Sequence, residues 1–557
     1  MFKLNTIKSL LKHYIKRTPW KGISILILKA LIILFLFNIA DKIYCTYNTN
    51  YICSAGIGLS SIHYGLLLTI IGILLIDKMA IRIILLSVIA LIVLLEYLYF
   101  QYFGIFIQPI AFYQAFTDTD EVIISFLDEF HVMVIPIGII VSLLTVIILM
   151  KSIKKFKSYK NSILGIIILI SIFLINLYNT YNHTHSKNGK QFWKQSHILL
   201  PMNNLPPTSN FIRSLNYFLV AYVPKKFFYK NKNIFPTLAQ PNIKTINPNR
   251  NIIFIIGETL RAKNINFLGY SKKTMPRLSK INGLRYSSIY SAGTMTKVSV
   301  PSLLNRVKYP GASTQLSKQN NNLFYLAKKN GFKTYFYSRQ TKYELSILQN
   351  YLGKKYLDDY ASKEMLTNKL KNKCSYDIAL KQALETINLN TGNKFIVLHQ
   401  RGSHSPYHKN YPKKFNKFDS SYDNSILYTD YVLSEIISYV KAHTTKPTYI
   451  IFTSDHGELL HEHGRNGHGW FFEEVYKVPF IYYAINQNSD SISKIPFSNI
   501  QTHFDVSNLV VSLLGYDVNI TKTSNIYVNG SDIDALAGYL HIKLNKAGKE
   551  LFVKKLY

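Results

Sequence analysis

Apolar residues run almost unbroken through five stretches, 22–40, 57–76, 80–107, 131–150 and 161–178. Each reaches the length, about 20 residues, that a helix needs to cross a hydrocarbon layer. Past residue 180 the pattern changes. Four short β-rich apolar runs, Asn251–Ile256, Lys394–Leu398, Thr448–Thr453 and Val478–Ala484, alternate with helical stretches. That alternation predicts an α/β domain around a largely buried sheet. The chain thus reads as a helical five-span membrane domain at 1–180, a connector at 181–245 and a soluble domain at 246–557. In the connector, Trp193, Phe211, Tyr217, Phe218, Phe227 and Phe228 stand among Lys and Pro. This composition suits a segment lying in the lipid head-group layer, or a linker packed on the soluble domain.

The distribution of charge orients the spans. Lys3, Lys8, Lys12, Lys16, Arg17 and Lys21 precede the first apolar run, Lys78 and Arg82 separate the second from the third, and Lys151, Lys154, Lys155, Lys157 and Lys160 separate the fourth from the fifth. The loop 108–130 carries Asp118, Asp120, Glu121, Asp128 and Glu129 and no Lys or Arg. Basic loops stay in the cytoplasm, so the N-terminus is expected inside and everything after Tyr178 outside. The first run is too long for a cleaved signal and lacks a small-residue cleavage site, so it reads as a retained anchor.

A net charge of +35 over 557 residues raises the question of nucleic acid. The basic residues are spread along the chain and form no nucleic-acid-binding motif, which excludes that class. Attraction to an anionic lipid surface explains them, as does a compositional bias toward Lys, Asn and Ile. Of three cysteines, Cys45 and Cys53 share one short loop and could pair outside the cell, which leaves Cys374 alone.

In open α/β sheets, ligands gather beyond the carboxyl ends of the strands. After the first soluble-domain run comes Gly257-Glu258-Thr259-Leu260-Arg261; after the second, His399 and Gly402-Ser403-His404; after the third, Ser454-Asp455-His456-Gly457-Glu458. Glu258, Asp455 and His456 offer two carboxylates and one nitrogen, a set that suits zinc, with manganese as the alternative. The stretch Ser291–Leu304 reads as a turn running into a helix. A hydroxyl near a helix N-terminus, beside a metal, is suited to act as nucleophile on a phosphate, and Thr296 is the candidate. The alternative for Thr296 is a helix N-cap. His461 and His463 read as surface residues.

These residues carry a resemblance. Gly-Glu-Thr-Leu-Arg at 257–261, Gly-Thr-x-Thr-x-x-Ser-Val-Pro at 293–301, Ser-Asp-His-Gly-Glu at 454–458 and Asn-Gly-His-Gly at 466–469 resemble the lipid A phosphoethanolamine transferases, which include the mobile colistin-resistance enzymes linked to polymyxin resistance. The resemblance implies five spans followed by an alkaline-phosphatase-like, sulfatase-type domain in the periplasm of a bacterial inner-membrane protein, acting as a monomer. It implies that Glu258, Thr296, Asp455 and His456 hold a catalytic zinc, with Thr296 the phosphate acceptor. His404 and His468 match histidines that bind the substrate phosphate or a second zinc and act as general acid or base. Glu458 and His399 match pocket residues. Thr117 and Glu121 resemble residues that hold the donor head group, although Tyr113 stands where the family usually has Asn. The family's lipid A enzymes brace the nucleophile loop with disulfides, whereas here the matching positions are Ala292 and Ser302.

The implied activity transfers phosphoethanolamine from phosphatidylethanolamine to lipid A or a lipopolysaccharide core sugar through a phosphothreonine. One alternative is a phosphoglycerol transferase of the lipoteichoic-acid-synthase type, whose motifs differ from the 257–261 and 466–469 runs. Another is a membrane sensor with an inactive hydrolase-like ectodomain, against which the complete ligand set argues.

Overall fold

The computed structural model describes residues 24–35, 61–103, 106–109, 111–112, 115, 159–185, 207–223 and 235–556, apart from 347, 372–375, 488–495, 536–537 and 546–549. Thr117, Glu121, Tyr113, the three cysteines and the apolar run 131–150 lie outside the described residues. The chain forms two compact units, divided in sequence chiefly between residues 225 and 226.

The described helices of the N-terminal unit are α1 (Ser24–Phe35), α2 (Ser61–Leu75), α3 (Met79–Phe103), α4 (Tyr159–His185) and α5 (Pro207–Tyr217). Over Met79–Phe100 and Asn161–Asn182, α3 and α4 are long and apolar enough to cross a membrane; α1 and Gly65–Leu75 of α2 are shorter apolar stretches. Four of the five expected spans thus fall on apolar helices, two of them at full length. Helices α2 and α4 meet at Gly72 and Gly165. A Cβ on Gly165 would stand 2.4 Å from the Gly72 carbonyl oxygen, so this approach requires glycine. In α3 the buried Glu96 accepts hydrogen bonds from Ile107 N (2.8 Å) and Asn210 Nδ2 (2.9 Å), fastening α5 to the end of α3. An ionisable residue inside an apolar helix needs such partners.

The C-terminal unit is built on a seven-stranded sheet of β1 (Asn251–Gly257), β2 (Arg285–Tyr290), β3 (Phe332–Ser338), β4 (Asp359–Ala361), β5 (Asn393–His399), β6 (Thr448–Ser454) and β9 (Lys477–Ile485), in the order β2-β9-β6-β1-β5-β3-β4. All four runs singled out in the sequence are strands of this sheet. Strands β6, β1, β5, β3 and β4 are parallel, and β9 and β2 join antiparallel. A two-stranded ribbon, β7 (Leu459–Leu460) and β8 (Asn466–Gly467), and a three-stranded sheet of β10 (Asn525–Asn529), β11 (Tyr539–Leu544) and β12 (Glu550–Leu556) complete it.

Two-sided burial explains the unbroken apolar character of the central strands. Alternate residues of β1 enter opposite cores. Ile252, Phe254 and Ile256 pack on the face covered by α6 (Thr296–Leu304), α7 (Leu323–Lys329) and α10 (His503–Leu513). Ile253 and Ile255 pack on the face covered by α8 (Ile378–Leu384) and α9 (Ser421–His443). In the sheet register Ile256 lies opposite His399 and Gly257 opposite Ser454, so Glu258, Gln400 and Asp455 leave three neighbouring strands side by side.

Candidate metal centre and active site

Glu258, Asp455 and His456 are buried at the carboxyl edge of β1 and β6, with ligand atoms all within 4.8 Å of one another. Backbone geometry fixes them. The Asp455 amide donates to the Gly257 carbonyl (3.0 Å), and Asp455 Oδ1 accepts from the amides of Thr259 (3.0 Å) and His456 (2.7 Å). The other oxygen, Oδ2, is buried without a hydrogen-bond partner, 3.3 Å from His456 Nε2. A buried carboxylate oxygen without a hydrogen-bond partner, beside a ring nitrogen and a second carboxylate, suits a cation.

Electrostatics agree. Burial raises the pKa of both carboxyls, and for Glu258 the charge of Asp455 adds to the rise. Two unit charges about 4 Å apart repel by about 4 kcal/mol at an effective dielectric of about 20. Only a cation between them makes a dianionic buried pair favourable. His456 Nδ1 lies 2.9 Å from the Gly457 carbonyl, which holds the proton on Nδ1 and leaves the Nε2 lone pair facing the carboxylates. The donor set therefore fits a divalent metal.

Thr296 opens α6, and its neighbour Met295 is the N-cap. Its hydroxyl is thus not occupied in capping. Instead Oγ1 lies 3.1 Å from Glu258 Oε1 and 3.1 Å from His456 Nε2. The expected quartet Glu258, Thr296, Asp455 and His456 is assembled.

The outlying candidates surround it. His399 is fully buried, with Nδ1 3.1 Å from Ser338 Oγ and Nε2 unpartnered 3.9 Å from Glu258 Oε2; burial pushes its pKa down to about 4, so it is neutral. The His468 ring lies 4.4 Å from the His456 ring, and its Nδ1 is 3.5 Å from Glu458 Oε1. Glu458 Oε2 accepts from the Tyr407 hydroxyl (2.7 Å). His404, His399 and His468 line a cavity of about 40 Å³ together with Thr296 and Glu258. His461 and His463 are exposed.

Sequence reasoning missed the polar chain on the far side of this cavity. Arg401 bonds to Glu344 and, at 2.5 Å, to Gln340 Oε1, while Gln340 Nε2 donates to Glu258 Oε2 (3.1 Å). A second guanidinium nitrogen of Arg401 lies 3.0 Å from His404 Nδ1. Burial alone would raise the Glu344 pKa, but Arg401, the hydrogen bonds from Thr341 and the charge of His404 together outweigh it and hold that carboxyl below its ordinary value. Arg401 thus brings a fixed positive charge to the cavity wall. Its place between His399 and His404 in the sequence was the available signal. His503 was missed too: it stands behind the nucleophile helix, with Nδ1 3.1 Å from both the Ala292 amide and Ser299 Oγ, and Nε2 2.9 Å from the Ser454 carbonyl.

In sequence, residues 250–516 match the Sulfatase family. Within that class the relatives are phosphoethanolamine transferases, as the motifs lead one to expect. The chain is 29% identical over 325 residues to phosphoethanolamine transferase EptA of Escherichia coli (strain K12), covering 50% of this chain and 54% of that protein. It is 26% identical over 339 residues to phosphatidylethanolamine transferase Mcr-1 of Escherichia coli, covering 55% of this chain and 60% of that protein. The matched regions therefore span little more than half the length of these relatives. In structure it is similar to the integral membrane lipooligosaccharide phosphoethanolamine transferase A from Neisseria meningitidis, with a TM-score of 0.57, 17% identity, and coverage of 88% of this chain and 95% of that one. That likeness in fold takes in an N-terminal membrane region followed by the α/β domain.

Proposed function

We propose that the chain transfers phosphoethanolamine from phosphatidylethanolamine to lipid A or a lipopolysaccharide core sugar, by double displacement through Thr296. The observation that carries this reading is the Thr296 hydroxyl, 3.1 Å from both Glu258 and His456, on a donor set suited to a cation. Its relatives' activity supports the choice of donor.

In the first step Thr296 Oγ forms a bond to phosphorus as the bond to the diacylglycerol oxygen breaks. The Thr296 proton is taken up by a histidine of the cavity wall, and diacylglycerol takes a proton as it departs. In the second step an acceptor hydroxyl or phosphate oxygen attacks the phosphothreonine and frees Thr296. His404 and His468 are suited to supply and remove these protons, since both line the cavity beside Thr296. Arg401, held by Glu344, Gln340 and His404, brings a fixed positive charge toward the equatorial phosphoryl oxygens, whose charge grows in the transition state. Glu258, Thr296, Asp455 and His456 would hold zinc, which supplies Lewis-acid stabilisation of that charge. His404 and His468 are the residues that would hold a second zinc.

Five spans, a cytoplasmic N-terminus and a periplasmic catalytic domain complete the reading, with Thr117 and Glu121 receiving the ethanolamine ammonium. The deciding experiment expresses the chain in a Gram-negative host and weighs lipid A and core oligosaccharide. A mass gain matching phosphoethanolamine on either fraction is expected; a phosphoglycerol gain, or none, rejects the proposal.

A further inference from the structure

A larger cavity, about 280 Å³, lies in the C-terminal unit behind the nucleophile loop. Its wall includes Ser291, Ala292 and Ser302, which flank Thr296 in sequence, and His503, which bonds to that same loop. It shares no lining residue with the metal-side cavity described above, and the transfer steps as written make no use of it.

Its lining has a definite chemistry. Three half-buried aromatic rings, Tyr309, Phe504 and Tyr527, form one part. They are set before any ligand arrives: Tyr309 stacks on Phe235 at 4.9 Å with the planes 4° apart, and Tyr527 meets Tyr309 edge-on at 5.5 Å. Thr521 and Asn519 add a hydroxyl and an amide to the lining, while Thr523 Oγ1 donates to the Asn525 carbonyl and Asn525 Nδ2 donates to Ser524 Oγ. Two cations, Lys308 and Lys522, are in the lining, with Lys308 Nζ 5.4 Å from the centre of the Tyr309 ring and 5.6 Å from that of Phe504. The single carboxylate of the lining, Asp505, is spent in the α10 cap, where Oδ2 accepts from the amides of Gln501 (3.1 Å) and Thr502 (2.9 Å) and from Thr502 Oγ1 (2.8 Å).

Flat apolar rings interleaved with amides and hydroxyls fit the alternating faces and edges of a sugar ring, and the cations add preference for an anion on it. The volume, near the lower end of small-molecule pockets at about 300 Å³, suits a single such unit. We propose that this cavity binds a phosphorylated saccharide. The identity of that saccharide as part of the acceptor rests on the transfer reading above. His503 would report occupancy to the reaction centre, because it joins the cavity wall at Ala292 to Ser299 of the nucleophile helix and to the Ser454 carbonyl beside Asp455.

The test is binding of N-acetylglucosamine 1-phosphate to the metal-loaded full chain in detergent, followed by saturation-transfer NMR, with N-acetylglucosamine and inorganic phosphate as partial probes. The sugar phosphate is expected to bind about tenfold more tightly than either partial probe, and Lys308→Gln and Tyr527→Ala each to weaken it about tenfold. Chelating the metal is expected to leave its affinity unchanged. Lys308→Gln alters only a half-buried side chain, so it keeps the test open should Tyr527→Ala fail to fold. Wild-type affinity in Lys308→Gln, or loss of binding on chelation, which would put the ligand in the metal-side cavity, overturns the proposal. Failure of the transfer reading registers elsewhere, as absence of diacylglycerol release from phosphatidylethanolamine.

Discussion

The hydroxyl of Thr296 stands 3.1 Å from Nε2 of His456, the nitrogen left free because the other ring nitrogen is engaged by the Gly457 carbonyl. A threonine in this position sits in the inner circle of the donor set without being one of its charged members. Thr296→Ala should therefore leave metal content, measured by elemental analysis, at the wild-type level. Release of diacylglycerol should fall by about a thousandfold or more, as when a covalent nucleophile is deleted.

Asp455→Asn separates the metal's contribution from that of the fold. With a chelator present, the variant should melt at or above the wild type, because it removes one of two buried, mutually repelling carboxylates. With metal present the order should invert. A roughly hundredfold loss of affinity removes about 2.7 kcal/mol of linkage stabilisation, visible as a lower melting temperature.

Arg401→Gln removes the fixed charge from the cavity wall. Loss of one transition-state donor typically costs about 10²-fold to 10³-fold in kcat. Arg401→Lys should recover part of that, since it keeps the charge and loses the fork. A rise in KM alone, with kcat intact, would place Arg401 in ground-state binding instead.

His503 gives the domain a dependence on acid. Burial pushes its pKa down to about 3, from an ordinary value of 6.5, so the folded protein binds this proton more weakly than the unfolded chain. The stability it contributes is complete above pH 6.5 and is lost as pH falls from there toward 3. Between pH 7 and pH 5 the loss should be about 2 kcal/mol. Asp505, pushed up to about 6 by burial, acts in the opposite sense between its ordinary 3.8 and that value. The effect is therefore to be read from urea midpoints of wild type against His503→Gln at the two pH values, where the shared contribution of Asp505 cancels.

The central strands were legible because burial on both faces leaves only apolar residues in them. Strands β2 and β3 escaped notice for the converse reason. Arg285-Tyr-Ser-Ser-Ile-Tyr290 is an edge strand with Arg285, Tyr286 and Ser288 exposed, and Phe332–Ser338 interleaves Lys333 and Thr334 with its aromatics. Glu258, Asp455 and His456 were legible because they directly follow recognisable strands. Arg401 and Gln340 reach the cavity from loops whose sequence reads as ordinary polar linker, and His503 is brought behind Thr296 only by the packing of α10 on α6. No local pattern encodes such a juxtaposition.

Gly402 shows how little freedom the metal-side loop retains. It adopts φ +53°, and a Cβ there would fall 2.8 Å from the Glu258 carbonyl oxygen and 2.9 Å from its amide nitrogen. Gly402→Ala should consequently displace Glu258 and lower metal affinity along with activity, which elemental analysis of the purified variant would report.

The tie between the nucleophile loop and the sheet runs through a neutral imidazole, with Ala292 and Ser302 at the loop positions where a cystine would form its link, and Cys374 the lone cysteine past the apolar runs. A domain secured in this way can mature without thiol-oxidising foldases. It should keep its catalytic geometry in strong reductant, a condition that would loosen a cystine-braced counterpart.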